Sequence, residues 1–463
     1  MERVLKLNYK RTFIIGFAFF GILLMWQVYD NYCSTFLSEL FMETYGADSE
    51  DVQVLVGIMM AIDNIAALIM MPIFGRLSDR TNTRIGKRMP FILIGTFVCA
   101  LIFPFIPIAF HYHSLVALIS LMAITVFFAM MYRNPAVALM PDLTPKPLRS
   151  KANGVINIMG YIGGAVPTLL GMFLVLSKYL GKGDNPGWQE GNLWVIEIPF
   201  LLASILMVVS VLILFFKIKE NKIKEEIKDD LAYGEQVAEI EDKIEDEDAP
   251  ISKANQRMLI LTLVAEFFWF MADNGVATFM NNFTIYHLEA GTGSQNLNVM
   301  ISGLCSVIGF AIGGLIVSKI GRKWTLQAGL FLTLASYVVW FILTLAIAPN
   351  GTFPAYIFAI FAVKGFGMAL VHVNSFPMVV ELCSAKKVGS FTGLYYIASM
   401  ASQSITPILF GLSLLAPHFG WEFLPLYALI CMAISTCVFL FVKSVKTKPE
   451  NIKVGLEAIG DDD

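Results

Sequence analysis

Gly75 to Pro90 reads GRLSDRTNTRIGKRMP, and this stretch decides how the rest of the chain is read. Five bases (Arg76, Arg80, Arg84, Lys87, Arg88) and one acid, Asp79, stand between two apolar runs, Val52–Phe74 and Phe91–Phe110. Runs of about 20 apolar residues are long enough to cross a bilayer as helices. A short, densely basic loop between two such runs fixes orientation by the positive-inside rule, which makes this loop cytoplasmic.

Composition agrees. The chain has 463 residues, 57% of them hydrophobic and 15% charged, with a mean hydropathy of +0.68. A soluble domain carries about 25% charged residues. The expected class is therefore an all-α polytopic membrane protein, with the lipid bilayer as its surroundings. A net charge of −3 offers no basic surface to nucleic acid. The six cysteines are scattered without a C-x-x-C pair, so neither a disulfide framework nor a metal site is expected. Met1–Arg11 is basic, but the apolar run after it lacks a small-residue cleavage site, so it reads as a retained first helix. A monomer is expected.

Twelve spans can be placed, at about 12–38, 52–75, 91–110, 114–139, 153–177 and 194–216, then 257–286, 297–318, 324–347, 353–380, 389–415 and 422–442. With both termini cytoplasmic, 29 of the 33 Lys and Arg residues fall on the cytoplasmic side. Only Lys178 and Lys182 fall outside, while Arg133 and Lys364 lie within spans. A wrong span count would scatter the bases over both faces. The expectation is a multi-pass protein of the cell membrane. It has a six-helix bundle over 1–216, a charged linker over 217–255, a second bundle over 256–445 and a cytoplasmic tail over 446–463. The linker reads as solvated, with some helix; nothing in its sequence supports a regulatory docking site.

The halves repeat weakly. Trp26, Asp30, Asn31, Thr35 and Phe36 recur at the same spacing as Trp269, Asp273, Asn274, Thr278 and Phe279. Gly75-Arg76-Leu77-Ser78-Asp79 is echoed by Gly314-Leu315-Ile316-Val317-Ser318, and Asp142-Leu143 with Gly154 by Glu381-Leu382 with Gly393. Two related halves facing each other place a binding site between them, near the bilayer midplane.

A charge within the membrane costs a few kcal/mol or more, so each one needs a partner or a task. Asp30, Asp63, Arg133, Glu266, Asp273 and Lys364 all lie within spans. Asp30 and Asp273 each have an amide beside them (Asn31, Asn274) and a tryptophan four residues earlier (Trp26, Trp269), on the same helical face. Carboxylate, amide and aromatic wall suit a polyhydroxylated ligand with an apolar face. The alternative is that these acids pair with Arg133 or Lys364 and hold helices together. A buried carboxylate can load and release a proton, which makes Asp63 the first coupling candidate, with Glu266 and Asp30 after it. Arg133 keeps its proton and would act as a fixed counter-charge. Lys364, Met368, His372 and Ser375 share one face of the tenth span. Tyr161, Tyr395, Tyr396 and Gln403 are further cavity candidates. Gly160, Gly163, Gly164 and Gly171 in the fifth span, with Gly411 in the eleventh, let helices approach closely.

Gly-x-Leu-x-Asp-Arg at 75–80 resembles the loop signature of the major facilitator superfamily. Its extension through Arg84-Ile85-Gly86-Lys87-Arg88 and Pro90, with Pro141-Asp142-Leu143-Thr144-Pro145 and Leu148–Gly154, resembles the branch of sucrose transporters and glycoside–pentoside–hexuronide:cation symporters. Asp63-Asn64 is similar to that branch as well. The resemblance implies two pseudo-symmetric six-helix bundles and a sugar or glycoside as the small-molecule substrate. Melibiose-type relatives hold a cation on two carboxylates shortly before the loop glycine; aligned on Gly75, those positions are Ala67 and Met71. That departure favours protons over sodium as coupling ion, and no other cofactor is expected. The loop residues Gly75, Asp79, Arg80, Arg84, Gly86, Lys87 and Arg88, with Asp142, read as a gate that closes the cytoplasmic side in the outward-facing state. The alternative is plain topology, with bases that fix orientation and do nothing more.

The expected activity is secondary transport of a di- or oligosaccharide by proton symport with alternating access. No residue set suggests covalent catalysis, so no enzyme is expected, and no Gly-x-x-x-x-Gly-Lys loop is present to use ATP. Two rivals stand beside it. An arginine in the fourth span followed by a Gly/Pro-rich fifth span also resembles proton-driven drug exporters, which implies a proton antiporter exporting amphipathic compounds as the alternative. A non-transporting membrane receptor or enzyme-like protein is disfavoured by the repeated halves with buried charges.

Overall fold

The computed structural model describes residues 5–182, 185–244, 253–380, 382, 388–416 and 419–443. Glu381, part of the linker (245–252) and the tail from 444 onward, all read above from sequence, lie outside the described residues.

In the first half, Asn8 opens α1 (Tyr9–Tyr45) by accepting the Arg11 amide at 3.0 Å, and Gly46, at φ 61°, ends it in the left-handed conformation. The chain returns in α2 (Gln53–Arg80), crosses again in α3 (Met89–Ile102, continued past Pro104 by Phe105–His111), and goes on through α4 (Leu115–Asp142), α5 (Arg149–Phe173) and α6 (Leu193–Lys217). The linker forms α7 (Glu220–Glu226) and α8 (Lys228–Ile244). In the second half follow α9 (Lys253–Asn282), α10 (Thr292–Ile320), α11 (Arg322–Ala346), α12 (Ala355–Val380), α13 (Val388–Leu414) and α14 (Phe423–Leu440). Twelve of these helices are long and apolar enough to cross a membrane, matching the number of spans expected.

Several helices outrun their predicted ends, α1 and α10 among them. α1 continues past 38 because Leu40 and Phe41 are buried and Glu39 pairs with Lys182. α10 begins at Thr292, earlier than 297, through Gln295 and Asn296; these polar side chains are buried, so the helix is not ended by water.

Each half has its own apolar core. One draws on residues between Ile15 and Ile218, with Phe36 stacked on Phe110 at 4.1 Å; the other draws on residues between Met258 and Val442. Within the first half, Gly160 and Gly163 of α5 lie against Leu23 and Phe20 of α1, so much of that glycine stripe is packing.

Between the halves, contact runs along one end of the bundle. α2 meets α13 where Gly57 faces the Pro407 carbonyl and Gly411 faces that of Gln53, approaches that no Cβ would allow. The last link in this row is Asn64, donating to the Gln403 carbonyl at 3.3 Å. One to two turns further toward the basic loops, on the same faces, Leu68 is 45% exposed and Tyr396 56% exposed. α5 meets α10 at Gly171 and Asn296, whereas Gly303 further along has open space beside it. The halves are therefore closed at the far face and parted toward the face carrying the basic loops.

The described part of the linker is helical and mostly exposed, but it is anchored at a few points. Ile218 packs into the first core, Ile223 packs against it, and Glu220 is only 2% exposed. Gly234 of α8 lies against Pro145 and Pro147 of the loop between α4 and α5.

Candidate functional site

The cleft runs between the halves, and α1 and α4 bring four of the predicted residues to it. Asp30 is exposed, and its neighbour Asn31 marks the seam: the Asn31 carbonyl accepts Asn281 of the other half at 2.8 Å, and its side chain accepts Gln27 at 3.1 Å. The Arg133 guanidinium stands 5.8 Å from the Trp26 ring centroid, within electrostatic range of Asp30. Asp30, Asn31, Trp26 and Arg133 thus form one group. Beside them, the buried Tyr29 donates its hydroxyl to Asp63 of α2. Asp63 also borders an apolar groove of about 280 Å³ between α2 and α4, with Met59, Met70 and Phe127 among its walls. Among the described residues, no basic side chain pairs with Asp63.

The second half does not mirror this arrangement. Asp273 is locked in an ion pair with Lys364 of α12, the structural alternative raised above, and His372 lies within electrostatic range. Asn274 is half-buried. Trp269 corrects the expectation: it is 0% exposed in the second core, so it cannot wall the cleft. Trp269 packs into the second core, although Asp273, one turn further on, reaches Lys364 of α12. Glu266 is 0% exposed and neither carboxylate oxygen has a hydrogen-bond partner. Such a carboxyl is stable only uncharged. Tyr395 nearby bonds instead to Ser375 at 2.9 Å. Gln403 sits at the α2–α13 contact and Tyr396 in the parted region, while Tyr161 is exposed on α5. Among the described residues, no group of three or more His, Cys, Asp or Glu side chains converges to hold a metal.

The basic loop forms a charge cluster. Arg88 pairs with Asp79 and, through Nε at 2.9 Å, with Asp142; Lys87 reaches Asp142 at 3.0 Å and Asp79 at 3.7 Å. Asp142 thus joins the loop cluster from the end of α4. Arg80 and Arg84 are exposed, and Gly75 lies close against Asn134 of α4. Gly86 adopts φ 117°, a conformation that favours glycine. All these pairs lie within the first half while this face is parted, so they do not by themselves close it.

What sequence reading missed is the seal at the far face. Asn282, buried where α9 gives way to a π turn, accepts Thr35 at 2.8 Å and donates to Ser38 at 3.0 Å and Gln53 at 3.3 Å. Ser177 and Thr292 exchange two bonds, each between an amide and a hydroxyl, at 3.1 and 3.2 Å. Tyr286 donates to Glu39 at 2.8 Å, and Trp421 to Ser49 at 2.9 Å. The one available signal was Thr35 and Ser38, two hydroxyl side chains three residues apart on one helical face.

The chain aligns over 96% of its length with 98% of the xylose transporter XylE from E. coli in its inward-open conformation, at a TM-score of 0.64 and 14% identity. It covers 98% of the POT family transporter PepTSo at 0.64 and 12%, with 94% of this chain aligned. It covers 95% of a bacterial homologue of the human lysosomal transporter Spinster, inward-facing and unoccupied, at 0.59 and 14%, again with 94% aligned. These identities establish the shared fold alone. No curated protein sequence matches the chain. The model of the MFS/sugar transport protein family matches residues 14–421, nearly the whole chain. This polytopic, all-helical membrane protein therefore belongs to the MFS/sugar transport protein family.

Proposed function

We propose that this transporter carries a sugar or glycoside, of di- or oligosaccharide size, by proton symport with alternating access. The observation that carries the reading is the group at the seam: exposed Asp30, Arg133 over Trp26 and Asn31, next to an Asp63 that accepts the Tyr29 hydroxyl and, among the described residues, pairs with no base. Carboxylate, guanidinium and amide offer hydrogen bonds to hydroxyl groups, and an indole offers a face for C–H stacking. Asp63, lacking a cation, is the first proton carrier. Glu266 is the second, since an unpartnered buried carboxyl holds its proton until water or a base reaches it. Asp273 is assigned away from substrate and toward Lys364.

With the basic loops in the cytoplasm, the parted face is the inner one and this conformation is inward-facing. Outward opening breaks the Asn282 seal and brings Leu68 and Tyr396 toward each other. The cluster of Asp79, Arg88, Lys87 and Asp142 then presents a fixed surface on which the second half closes.

The test is reconstitution into de-energised vesicles with a panel of saccharides while external pH is recorded. Alkalinisation with one saccharide class, absent in Asp63→Asn, is the expected result. Silence to every saccharide, with proton release driven by lipophilic cations, would replace this reading with the amphipath exporter.

A further inference from the structure

Glu220 is an acid in a linker segment that opens KIKENK, where a solvated side chain is the ordinary expectation. Instead it is buried against the turn before α3. Its two carboxylate oxygens accept the backbone amides of Lys87 and Arg88 at 3.0 Å each and of Met89 at 3.3 Å. Those amides open α3 and have no partner within the helix, and the helix end favours a negative charge. The next residue, Asn221, donates to the carbonyls of Thr83 and Arg84 at 2.9 and 3.2 Å. Gly86 leaves the room: a Cβ there would fall on the Glu220 carboxylate. The backbone of Arg88, fixed in this way, sends a side chain only 6% exposed to Asp79 on α2, Asp142 on α4 and the Ser78 hydroxyl.

We propose that Glu220 is a positioning residue of the gate. By clasping the 83–89 turn it aims Arg88 so that the ends of α2 and α4 form one rigid surface, and the central linker thereby sets the balance between the two access states. The inference rests on the alternating-access reading above. Removing the carboxylate loosens the surface on which the second half must close, so the equilibrium moves toward the conformation open at the basic face.

The full-length protein in vesicles tests this without any substrate. In a background free of native cysteines, Leu68→Cys reports the parted region by its rate of maleimide labelling. Loss of charge-assisted bonds of this kind is expected to raise the labelling ratio of open to closed states about tenfold in Glu220→Gln and Glu220→Ala. Glu220→Asp recovers part of it, and Glu225→Gln, an exposed neighbour on the same helix, changes nothing. A merely structural role would lower the melting temperature in Glu220→Ala while leaving the ratio at that of Glu225→Gln, and that result overturns the proposal. Asn282→Leu, which weakens the opposite face, is the reference for state dependence. If it leaves Leu68→Cys labelling unmoved, alternating access itself fails, and the role of Glu220 with it.

Discussion

Thr35 and Asn282, 247 positions apart, share a hydrogen bond of 2.8 Å in a setting sealed from solvent, and it joins the two halves of the molecule. Ser38 and Gln53 complete the group around the same amide. Asn282→Leu leaves these side chains buried without their partner, at about 1–3 kcal/mol for each group stranded. The expected outcome is a far face that opens at least tenfold more often, read as slower labelling of Leu68→Cys from the basic-loop face.

Tyr29 and Asp63 give the second expectation. Asp63→Asn keeps the hydrogen bond from Tyr29 but removes the titrating atom. Saccharide counterflow should persist, with its pH profile flattened, while saccharide-driven alkalinisation disappears. A variant that still moves protons with substrate would transfer the coupling role to Glu266.

Asp273 and Lys364 test structural against ligand-binding roles. Truncating one member of a half-buried ion pair leaves the other charge without its partner, so Lys364→Ala should destabilise the protein by about 1–3 kcal/mol. Adding Asp273→Ala should restore most of that in a detergent melting curve. Counterflow that recovers together with stability identifies the pair as a brace; counterflow that stays lost returns Asp273 to the substrate site.

Arg133 over Trp26 supplies the fourth. Lysine keeps the charge but not the planar fork. The stack is worth about 0.5–2 kcal/mol, so Arg133→Lys should raise the half-saturating saccharide concentration by about 2–30-fold. Trp26→Phe should do the same more weakly, with melting unchanged.

The fold was legible because hydrophobic length and basic loops are one-dimensional signals, and Arg133 or Asp30 stands out in an apolar run for the same reason. Trp269 shows where that ended. Its spacing from Asp273 matches that of Trp26 from Asp30, but whether an aromatic lines a cleft or fills a core depends on which neighbours α9 turns toward. The bond between Asn282 and Thr35 was not legible for a different reason: each is neutral, and its partner lies far away in sequence. Glu220 hid among solvated charges because its partners are backbone amides, which no side-chain pattern announces.

The chemistry of the far seal has an electrical consequence. Thr35 with Asn282, Ser177 with Thr292 and Trp421 with Ser49 are bonds between uncharged groups; Glu39, which accepts Tyr286 across the seal, is already neutralised by Lys182 of its own half, and Glu50 bonds to Ser49 within that half. Parting these groups moves no net charge through the membrane field, where each elementary charge carried across 100 mV is worth about 2.3 kcal/mol. Opening of this barrier is therefore blind to voltage and nearly so to ionic strength. An energised membrane can act on the cycle only through the ionisable groups at the seam, so load and drive are felt at one place and the door at another.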